Sequence, residues 1–242
     1  MKNSANLTCI AILSMVFAFI FISCDKDEMK GGLSLRFEAT QSTLKSSPAD
    51  NIVIKSFIIN IGEIELEFDN NDPLFATDSV ASDIDLEGPF EIDLIKDGNA
   101  LSTVIAQNVE LPQAAYDEIE FKFRKSENPI SLMLEKTAMV KGTINDTPFI
   151  FWTDEEIEVE IEFDENVFLE DAQMAYITVT FDIMTLFNPA AGGIDISGAT
   201  DGNGNGIIEI YAGDPDGNKD LADMLWDRME DIIEAFEDQY DN

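Results

Sequence analysis

Histidine is absent from the 242 residues, and cysteine occurs only twice, at Cys9 and Cys24. These two residue types supply many of the general bases, nucleophiles and zinc ligands of enzymes. The sequence also contains no glycine-rich phosphate loop and no dinucleotide-binding fingerprint. A glycosidase needs only two carboxylates, but no pair can be singled out among 49 acidic residues. The sequence therefore predicts that this protein is not an enzyme.

Basic residues are also few: 14 lysines and arginines stand against 49 acidic residues, which gives a formal net charge of −35. A surface of this charge repels nucleic acids and anionic lipids and attracts cations. Hydrophobic residues nevertheless make up 45% of the chain and include 17 phenylalanines, which is too many for a disordered acidic segment. The composition predicts a folded acidic protein that has no nucleic-acid partner.

A long apolar run, from Ala5 to Ile22, follows Lys2 at the N-terminus. A basic start, an apolar stretch and small residues at its end are typical of a secretion signal. The run ends in "FISC", which resembles the lipobox of bacterial lipoproteins, where the cysteine is lipidated after the signal is removed. We expect residues 1–23 to be the signal peptide and Cys24 to be the lipidation site. The alternative is an uncleaved transmembrane anchor, because the run approaches the minimum spanning length.

The residues that follow the signal, "CDKDE", resemble the export signal of Bacteroidota-type surface lipoproteins. This resemblance implies an acidic tether over 24–32 and a protein that its lipid holds on the outer membrane, exposed at the cell surface. Cys9 leaves with the signal and Cys24 carries the lipid, so the mature chain cannot form an internal disulfide. The core of the domain, with or without a bound metal, must therefore hold the fold.

The sequence between 33 and 187 alternates apolar and polar residues, as in "LSLRF", "EIEFKFR", "EIEVEIEF" and "AYITVTFDI". Period two with one apolar face is typical of half-buried antiparallel strands. In "EIEFKFR" the pattern places Glu120, Lys122 and Arg124 on the outer face. In the long run 52–68 the apolar phase changes at Gly62, which indicates a β-bulge.

Turn-rich clusters separate these segments at 46–50, 69–73, 96–99 and 145–148. Several short strands at this spacing are typical of a sandwich or a barrel. The sequence therefore predicts an all-β protein, an antiparallel β-sandwich over residues 33–187.

Only the C-terminal segment has convincing helical spacing. Its apolar stripe consists of Leu225, Met229, Ile232, Ile233, Phe236 and Tyr240. Steps of three and four residues place these side chains on one face of a helix. We expect one amphipathic helix over 221–240 that packs on the sandwich through this stripe. Asn218 or Asp220 can cap its N-terminus.

Three stretches resemble an uncharacterised family of bacterial surface lipoproteins: "GGLSLRF", "IGEIELEF" and "FEIDLIKDGNALSTVIAQNVELPQAAYDEIEFKF". The positions that match the family pattern are Asp93, Leu94, Gly98, Leu111, Pro112, Tyr116 and Ile119. The resemblance covers Gly31 to Phe187 and implies a β-sandwich of the transthyretin or immunoglobulin-like type. Because this family has no established activity, the resemblance implies a fold and a location but no reaction.

The segment 188–220 is rich in Asp, Asn and Gly, and it contains the stretch "DGNGNGIIEI". Oxygen-bearing side chains at every second position, followed by glycine, match the first half of an EF-hand calcium loop. The expected ligands are Asp201, Asn203, Asn205, the carbonyl of Ile207 and Glu209. Glu209 stands at position nine and can replace the carboxylate missing from position twelve, which is Ala212. Ile208 is expected to anchor the loop in the core.

Residues 214–220, "DPDGNKD", repeat this spacing with Asp214, Asp216, Asn218 and Asp220, so this stretch can complete the first site, above all through Asp214 and Asp216, or form a second one. The alternatives are a plain turn with a helix cap here and a Gly/Asn-rich turn between strand and helix at 201–209. Two asparagines among the ligands reduce the ligand charge, so we expect affinity on the order of 10⁻⁴ to 10⁻³ M, as in extracellular modules. Ca²⁺ in a structural role is therefore the expected cofactor.

Two further features concern the binding partners. The row of glutamates at every second position from Glu156 to Glu162 is either a cation- or glycan-binding face or is neutralised by cross-strand pairs. Pairing is the favoured interpretation, and the basic candidates are Lys122, Arg124, Lys125, Lys136 and Lys141. Trp152 and Trp226 are candidates for sugar stacking, although their apolar contexts favour the core. The sequence predicts a structural or adhesive surface module, with a glycan-binding accessory lipoprotein as the alternative; its ligand is a surface glycan or a protein.

Overall fold

The structure is a computed structural model, and it describes residues 31–40, 52–69, 83–111, 115–168, 174–229 and 233–238. Strands dominate these residues, as the alternating sequence predicts. In chain order the strands are β1 (Gly31–Thr40), β2 (Ile52–Phe68), β3 (Ile84–Lys96), β4 (Asn99–Ala100), β5 (Ser102–Leu111), β6 (Ala115–Phe123), β7 (Ala138–Ile144), β8 (Thr147–Thr153), β9 (Ile157–Phe168), β10 (Met174–Asp182), β11 (Ile208–Ile210) and β12 (Ile233–Asp238). The helical segments are Ile183–Leu186, the 3₁₀ turn Pro189–Ala191 and Lys219–Asp227.

The strands form two sheets that pack face to face, which confirms the predicted all-β sandwich. The smaller sheet has the strand order β12-β10-β1-β5. The larger sheet has the order β11-β8-β7-β2-β3-β4, and β6 and β9 extend it from a second segment of β2. Because β11 and β12 belong to the sheets, the sandwich continues beyond the boundary predicted at residue 187.

The core lies between the sheets and is built from the apolar phase of the strands. Phe37 of β1 and Phe181 of β10 stack with their ring centroids 5.9 Å apart in the smaller sheet. Across the interface, Phe37 meets Phe121 of β6 edge-on at 5.3 Å, and Phe181 meets Phe57 of β2 at 6.1 Å. Aromatic pairs of this geometry contribute about 0.5–1.5 kcal/mol each beyond the burial of area. These rings therefore hold the two sheets in a fixed relation.

The long strand β2 contains the bulge predicted at Gly62. Its pairing with β3 and its pairing with β6 both shift register between Ile61 and Glu63. The extra residue lets Ile61 and Ile64 both face the core, and both are fully buried. Beyond the bulge, the odd-numbered residues of β2 face outwards, and these residues are glutamates.

Two of the predicted turns close tight hairpins. Residues 97–98 and 145–146 all have positive φ, and each pair joins two antiparallel strands directly. This is the backbone of a type I′ turn, whose twist matches that of the flanking strands. The predicted cluster at 46–50 and most of the one at 69–73 lie outside the described residues.

The larger sheet branches at Asn60 of β2. On one edge of β2, β7 pairs with residues 52–59 and β6 pairs with residues 61–68. Between these segments, the backbone amide of Asn60 donates to the carbonyl of Thr137 at 2.8 Å, and its side-chain amide donates to the carbonyl of Arg124 at 2.7 Å. The bond to Arg124 holds the chain just after β6, and the bond to Thr137 holds it just before β7. β6 lies between β2 and β9.

The prediction that the strands all pair antiparallel is wrong at two places. β1 runs parallel to β10, from Gly32 opposite Met174 to Thr40 opposite Asp182, and β11 runs parallel to β8. Both pairs join segments that are distant in the sequence, because parallel neighbours need a long connection. Alternation shows which residues face the core but carries no information about strand direction.

The predicted C-terminal helix exists, but it is shorter than the predicted 221–240. It spans Lys219–Asp227 and packs on the sandwich through Ala222 and Leu225, which are buried. Residues Ile233–Asp238 instead form β12, which pairs antiparallel with β10. Without β12, β10 would present unpaired backbone groups at the edge of the smaller sheet. This tertiary pairing outweighs the helical spacing of the apolar residues.

The predicted signal peptide 1–23, Cys24 and most of the tether 24–32 lie outside the described residues, while Gly31 and Gly32 begin β1. None of the helices in the described part of the chain has the length and apolar character needed to cross a membrane.

Candidate metal centre

The predicted loop 201–209 curls around its own polar side chains. The carboxylate of Asp201 accepts hydrogen bonds from the backbone amides of Asn205 at 3.0 Å and Gly206 at 2.8 Å. The side-chain oxygen of Asn203 accepts from the amide of Asn205, and that of Asn205 accepts from the amide of Ile207, both at 2.8 Å. Gly206 has a φ of 88°, a left-handed conformation that favours glycine. The alternating Asp and Asn residues thus close a loop and do not form an extended linker.

Glu209 contacts this loop as its position in the sequence predicts. Its Oε2 accepts hydrogen bonds from the side-chain amides of Asn203 at 3.0 Å and Asn205 at 3.1 Å. Ala212, at position twelve, is exposed and has no side-chain oxygen to offer. Ile208 is buried in the core, which confirms its predicted role as the anchor of the loop. The carboxylate at position nine therefore joins the oxygen-bearing side chains.

The second stretch folds back onto the first through Asp216. Its Oδ1 accepts from the backbone amide of Asn203 at 3.0 Å, and its Oδ2 accepts from that of Glu209 at 2.8 Å. Asp214 accepts from the amides of Asp216 at 2.8 Å and Asn218 at 3.0 Å, both through Oδ1. The other oxygen of Asp214, Oδ2, is buried and has no hydrogen-bond partner among the described residues. The two Asp/Asn-rich stretches are therefore one structure.

Asn218 has a different role from the predicted one. It stands at the N-cap position of the helix Lys219–Asp227, yet its side chain makes no capping hydrogen bond. Its amide group instead donates to the carbonyls of Thr200 at 2.9 Å and Glu209 at 2.8 Å, and its oxygen accepts from the amide of Thr200 at 3.1 Å. Residues 214–220 do turn into the helix with Asn218 at its N-cap position. In addition, the side chains of Asp216 and Asn218 bind the 201–209 loop.

We refer to these seven side chains together as the polar knot. Its members are Asp201, Asn203, Asn205, Glu209, Asp214, Asp216 and Asn218. Calcium prefers six to eight oxygens, which carboxylates, amides and backbone carbonyls can supply together. The polar knot contains carboxylate and amide oxygens of these kinds, and the carbonyl of Ile207 lies within the same loop. Three carboxylates with oxygens within 4.8 Å of one another occur elsewhere in the described residues, at Glu63, Glu65 and Asp85. The sequence identified all seven side chains as candidates but left open whether the two stretches form one site or two.

An aromatic contact fastens the polar knot to the larger sheet. Tyr211, which follows β11, stacks on Trp152 of β8 with the ring centroids 4.5 Å apart, and its hydroxyl donates to Glu209 at 3.4 Å. The ammonium group of Lys136 lies over the same indole at 5.2 Å from the centroid. Trp152 itself is partly buried. Trp226 is partly buried and packs against the core.

A second group of acidic side chains lies on the outer face of the larger sheet. This carboxylate face consists of Glu63, Glu65 and Glu67 of β2, Asp85 and Glu87 of β3, Glu118, Glu120 and Lys122 of β6, and Glu158, Glu160 and Glu162 of β9. Lys122 is its one basic member. The sequence shows the outward phase of each strand, but only the register between distant strands brings these residues together.

The register places like charges directly opposite one another. Asp85, Glu65, Glu120 and Glu160 form one row across four strands. Residues opposite one another on adjacent strands have their Cβ atoms about 5 Å apart, and like charges in such positions are destabilising. Within the described residues, one carboxylate oxygen each from Glu63, Glu65 and Asp85 lies within 4.8 Å of the other two. This is the densest group of carboxylates on the face.

Lys122 compensates part of this charge. Its Nζ lies 3.0 Å from Oε2 of Glu65 and 3.3 Å from Oε1 of Glu63. It is also 3.7 Å from Oε2 of Glu120 and 3.6 Å from Oε1 of Glu158. The hydrogen bond to Glu65 is the main reason why the pKa of Lys122 is raised. A single ammonium group therefore serves four carboxylates.

Glu120 is a buried acid on the carboxylate face. It lies in the outward phase, as predicted, yet it is only 6% exposed, because its strand runs between two others whose long side chains cover it. Burial, followed by a hydrogen bond with Glu158, raises the pKa of Glu120 to about 7, and the same bond lowers the pKa of Glu158. Burial also raises the pKa of Glu67, Asp85 and Glu118, with neighbouring carboxylates adding to the effect. The charges of the face therefore favour protonation of these carboxylates or the presence of cations beside them.

The predicted cross-strand neutralisation is confirmed at one end of β9 and wrong at the other. Arg124 pairs with Glu156 at 3.1 Å, and Lys122 approaches Glu158. Further along, Glu160 and Glu162 stand opposite Glu120 and Glu118, so acids face acids. The sequence could not show this, because pairing depends on which residue of β6 meets which residue of β9.

Comparison of the chain with protein-family models, curated proteins and solved structures finds no match. The resemblance to a bacterial lipoprotein family, carried by residues such as Asp93, Gly98 and Tyr116, stays a prediction.

Proposed function

We propose that this protein is a non-catalytic surface module, structural or adhesive, which a lipid on Cys24 anchors to the outer membrane and which Ca²⁺ at the polar knot braces. One observation carries the calcium part of the proposal. Two stretches that are apart in the sequence fold into a single knot of carboxylate and amide oxygens, and Asp214 contributes an oxygen that is buried without a hydrogen-bond donor. Such an oxygen costs free energy unless a cation or a proton satisfies it.

The bound ion would join elements that otherwise depend on hydrogen bonds. Asp201, Asn203, Asn205 and Glu209 would hold it from the first stretch, together with the carbonyl of Ile207. Asp214 and Asp216 would contribute from the second stretch, which leads directly into the helix Lys219–Asp227. The mature chain has no disulfide in this interpretation, so the ion would supply the crosslink between loop, helix and sheet.

The test is thermal unfolding of the full chain, in detergent micelles, in EDTA and in 10 mM CaCl₂. With a Kd on the order of 10⁻⁴ to 10⁻³ M, linkage gives about 1.4 to 2.7 kcal/mol of stabilisation. For a domain of this size that is a rise in Tm of about 3 to 10 °C. MgCl₂ at the same concentration is the control for screening of the net charge. Equal shifts with both ions would contradict a specific calcium site.

Asp201→Ala should abolish the calcium-specific shift, because Asp201 is the first carboxylate of the loop. Asp223→Ala is the matched control, since Asp223 pairs with Lys219 on the exposed face of the helix. Trp152 gives a local signal: in Trp226→Phe, the remaining indole stacks on Tyr211 beside Glu209, so calcium should change its fluorescence. A calcium shift that survives Asp201→Ala would remove the polar knot from the proposal.

The anchor has a separate test. Cys24→Ser should release the protein from the membrane fraction and prevent incorporation of radiolabelled palmitate, and protease added to whole cells should cleave the unchanged protein. Retention of Cys24→Ser in the membrane would instead favour the transmembrane alternative. Glycan binding has weaker support, because the Trp152 ring already contacts Tyr211 and Lys136 and Trp226 packs on the core.

A further inference from the structure

Two asparagines of the polar knot are each followed by glycine, Asn203 by Gly204 and Asn205 by Gly206. An asparagine deamidates when the backbone nitrogen of the next residue attacks its side-chain carbonyl carbon, and glycine places no Cβ in the path of that attack. All four residues are exposed, so water reaches both pairs. The polar knot therefore contains two candidate sites for the same covalent modification.

The two asparagine side chains have closely matched surroundings. Oδ1 of each accepts a hydrogen bond of 2.8 Å from the backbone amide two residues further on. That donor stabilises the negative charge that forms on Oδ1 during the attack. Nδ2 of each donates to Oε2 of Glu209, at 3.0 Å from Asn203 and 3.1 Å from Asn205. The two glycines also match, since both have positive φ, 74° at Gly204 and 88° at Gly206. The side chains alone therefore give no reason for one asparagine to react before the other.

The two attacking nitrogens have different partners. The backbone amide of Gly206 donates to Oδ2 of Asp201 at 2.8 Å, and this is a hydrogen bond to a charged acceptor. It holds both the proton that must leave and the nitrogen that must turn towards Asn205. The backbone amide of Gly204 has no hydrogen-bond partner in the part of the chain that the structure describes. Its nitrogen is therefore free to attack Cγ of Asn203.

We propose that Asn203 is a site of spontaneous deamidation and that Asp201 protects Asn205 from the same reaction. The backbone nitrogen of Gly204 loses its proton to solvent and forms a bond to Cγ of Asn203, while the bond from Cγ to Nδ2 breaks and ammonia leaves. Water then opens the resulting succinimide ring at either of its two carbonyls. The product at position 203 is aspartate or isoaspartate. The net reaction consumes one water and releases one ammonia.

The test follows both asparagines in the full chain, in detergent micelles and EDTA at pH 8, by peptide mass spectrometry that separates asparagine, aspartate and isoaspartate. Asn203 should react at least about tenfold faster than Asn205, since breaking a hydrogen bond to a charged acceptor costs at least about that factor in rate. Equal rates, a faster Asn205 or an unreactive Asn203 would overturn the proposal.

The same chain unfolded in guanidinium chloride is the control. Both asparagines precede glycine, so they should react at similar rates once the fold is lost. A difference as large as that in the folded protein would assign the selectivity to the local sequence and would overturn the protective role of the fold. This comparison needs no variant.

Variants at Asp201 test the protection directly. Asp201→Ala removes the acceptor of the Gly206 amide and should raise the rate at Asn205 towards that at Asn203. Asp201→Asn keeps an uncharged oxygen and should give an intermediate rate. Asp223→Ala, on the exposed face of the helix Lys219–Asp227, is the matched control and should leave the ratio of the two rates unchanged. An unchanged rate at Asn205 in Asp201→Ala would contradict the protection.

Deamidation also changes the charge beside Glu209. Aspartate at position 203 cannot donate to Oε2 of Glu209 and repels it, so Asn203→Asp should lower the Tm in EDTA. A further effect rests on the proposed calcium site: a more highly charged set of ligands binds Ca²⁺ more tightly, so CaCl₂ should raise the Tm of Asn203→Asp more than that of the unchanged protein.

Thermal unfolding and mass spectrometry separate the two proposals. If the polar knot does not bind calcium, Asn203→Asp gains no extra stability from CaCl₂, while Asn203 still reacts faster than Asn205 in EDTA. If the deamidation proposal is wrong, the two asparagines react at equal rates in EDTA, while the calcium-specific rise in the Tm of the unchanged protein remains.

Discussion

The polar knot and the carboxylate face are both rich in acids, but they treat a carboxylate in opposite ways. In the knot, Asp201 and Asp216 each accept two hydrogen bonds from backbone amides. On the face, carboxylates stand opposite carboxylates, and a single lysine contacts four of them. In the polar knot, the groups that contact the carboxylates are neutral backbone amides, which the loop holds in place. On the carboxylate face, they are one ammonium group and the cations of the solvent.

This difference predicts that removing a negative charge changes the stability of the protein in opposite directions at the two sites. An acid that accepts backbone amides stabilises the fold, so its loss leaves those amides without their acceptor. An acid that faces other acids destabilises the fold, so its neutralisation is favourable. The net charge of the chain says nothing about which response a given residue will show.

The largest effect is expected from Asp216→Ala in EDTA. The change leaves the amides of Asn203 and Glu209 without their acceptor, and Asp216 is only 8% exposed. We expect a loss of about 3 to 4 kcal/mol in the free energy of unfolding, since a hydrogen bond to a charged group contributes about 1.5–3 kcal/mol and two are lost. Urea unfolding gives the value. Asp220→Ala, in the exposed first turn of the helix, is the control and should change stability by about 0.5 kcal/mol or less. Similar losses of stability in Asp216→Ala and Asp220→Ala would contradict the view that carboxylates of the polar knot stabilise the fold more than exposed carboxylates do.

Lys122→Met should have the next largest effect, a destabilisation of about 2 to 3 kcal/mol at pH 7 in EDTA, because four carboxylates lose their shared cation. The loss should shrink at pH 4, because Glu120, whose pKa burial raises to about 7, is then protonated. Lys96→Met is the control, since Lys96 and Asp93 form an exposed pair worth about 1 kcal/mol or less. Urea unfolding at both pH values measures the effect, and a loss that is the same at pH 4 and pH 7 would contradict the electrostatic explanation.

Glu120→Gln should stabilise the protein, which no acid of the knot should do. The pKa of Glu120 is raised from 4.5 to about 7 in the folded state. The stabilisation that this group contributes is therefore fully present below pH 4.5 and is lost as the pH rises through 7. Its carboxyl faces Glu65, Lys122, Glu158 and Glu160. Above pH 7 in EDTA we expect Gln to be more stable by about 1 to 2 kcal/mol, with equality near pH 4, given about 1.4 kcal/mol per pKa unit and the opposing shift of Glu158. Glu209→Gln, at the knot, is the contrasting variant. Destabilisation of Glu120→Gln at pH 8 would contradict the raised pKa.

The smallest effect is expected from Glu162→Gln, at the exposed end of the carboxylate face. It stands opposite Glu118, so its neutralisation should stabilise the protein by about 0.3 kcal/mol, near the lower limit for cross-strand pairs. Thermal unfolding at low ionic strength should show the gain, and 1 M NaCl should remove it because salt screens exposed charges. A gain that persists in high salt would have another cause.

The sequence was informative wherever a local pattern determined the structure. Alternation identified the strands, the change of phase identified the bulge at Gly62, and the spacing of Asp201 to Glu209 identified most of the polar knot. It was misleading at Ile233–Asp238, where apolar residues fit both a helical stripe and a strand, and only the open edge of β10 decides between them. The row through Glu65 and Glu120 could not be predicted, because it depends on the register of strands that are far apart in the chain.

The parallel pairing of β1 with β10 has a consequence for how the chain reaches this state. The larger sheet contains hairpins such as β7–β8 that close over two residues, but the smaller sheet gathers strands from across the chain, with Gly32 beside Met174. Contacts of such high sequence separation form slowly. During synthesis, β1 is therefore complete long before its parallel partner β10 has been made. Until residues 174–182 leave the ribosome, the edge of β1 that pairs with β10 in the folded protein stays open.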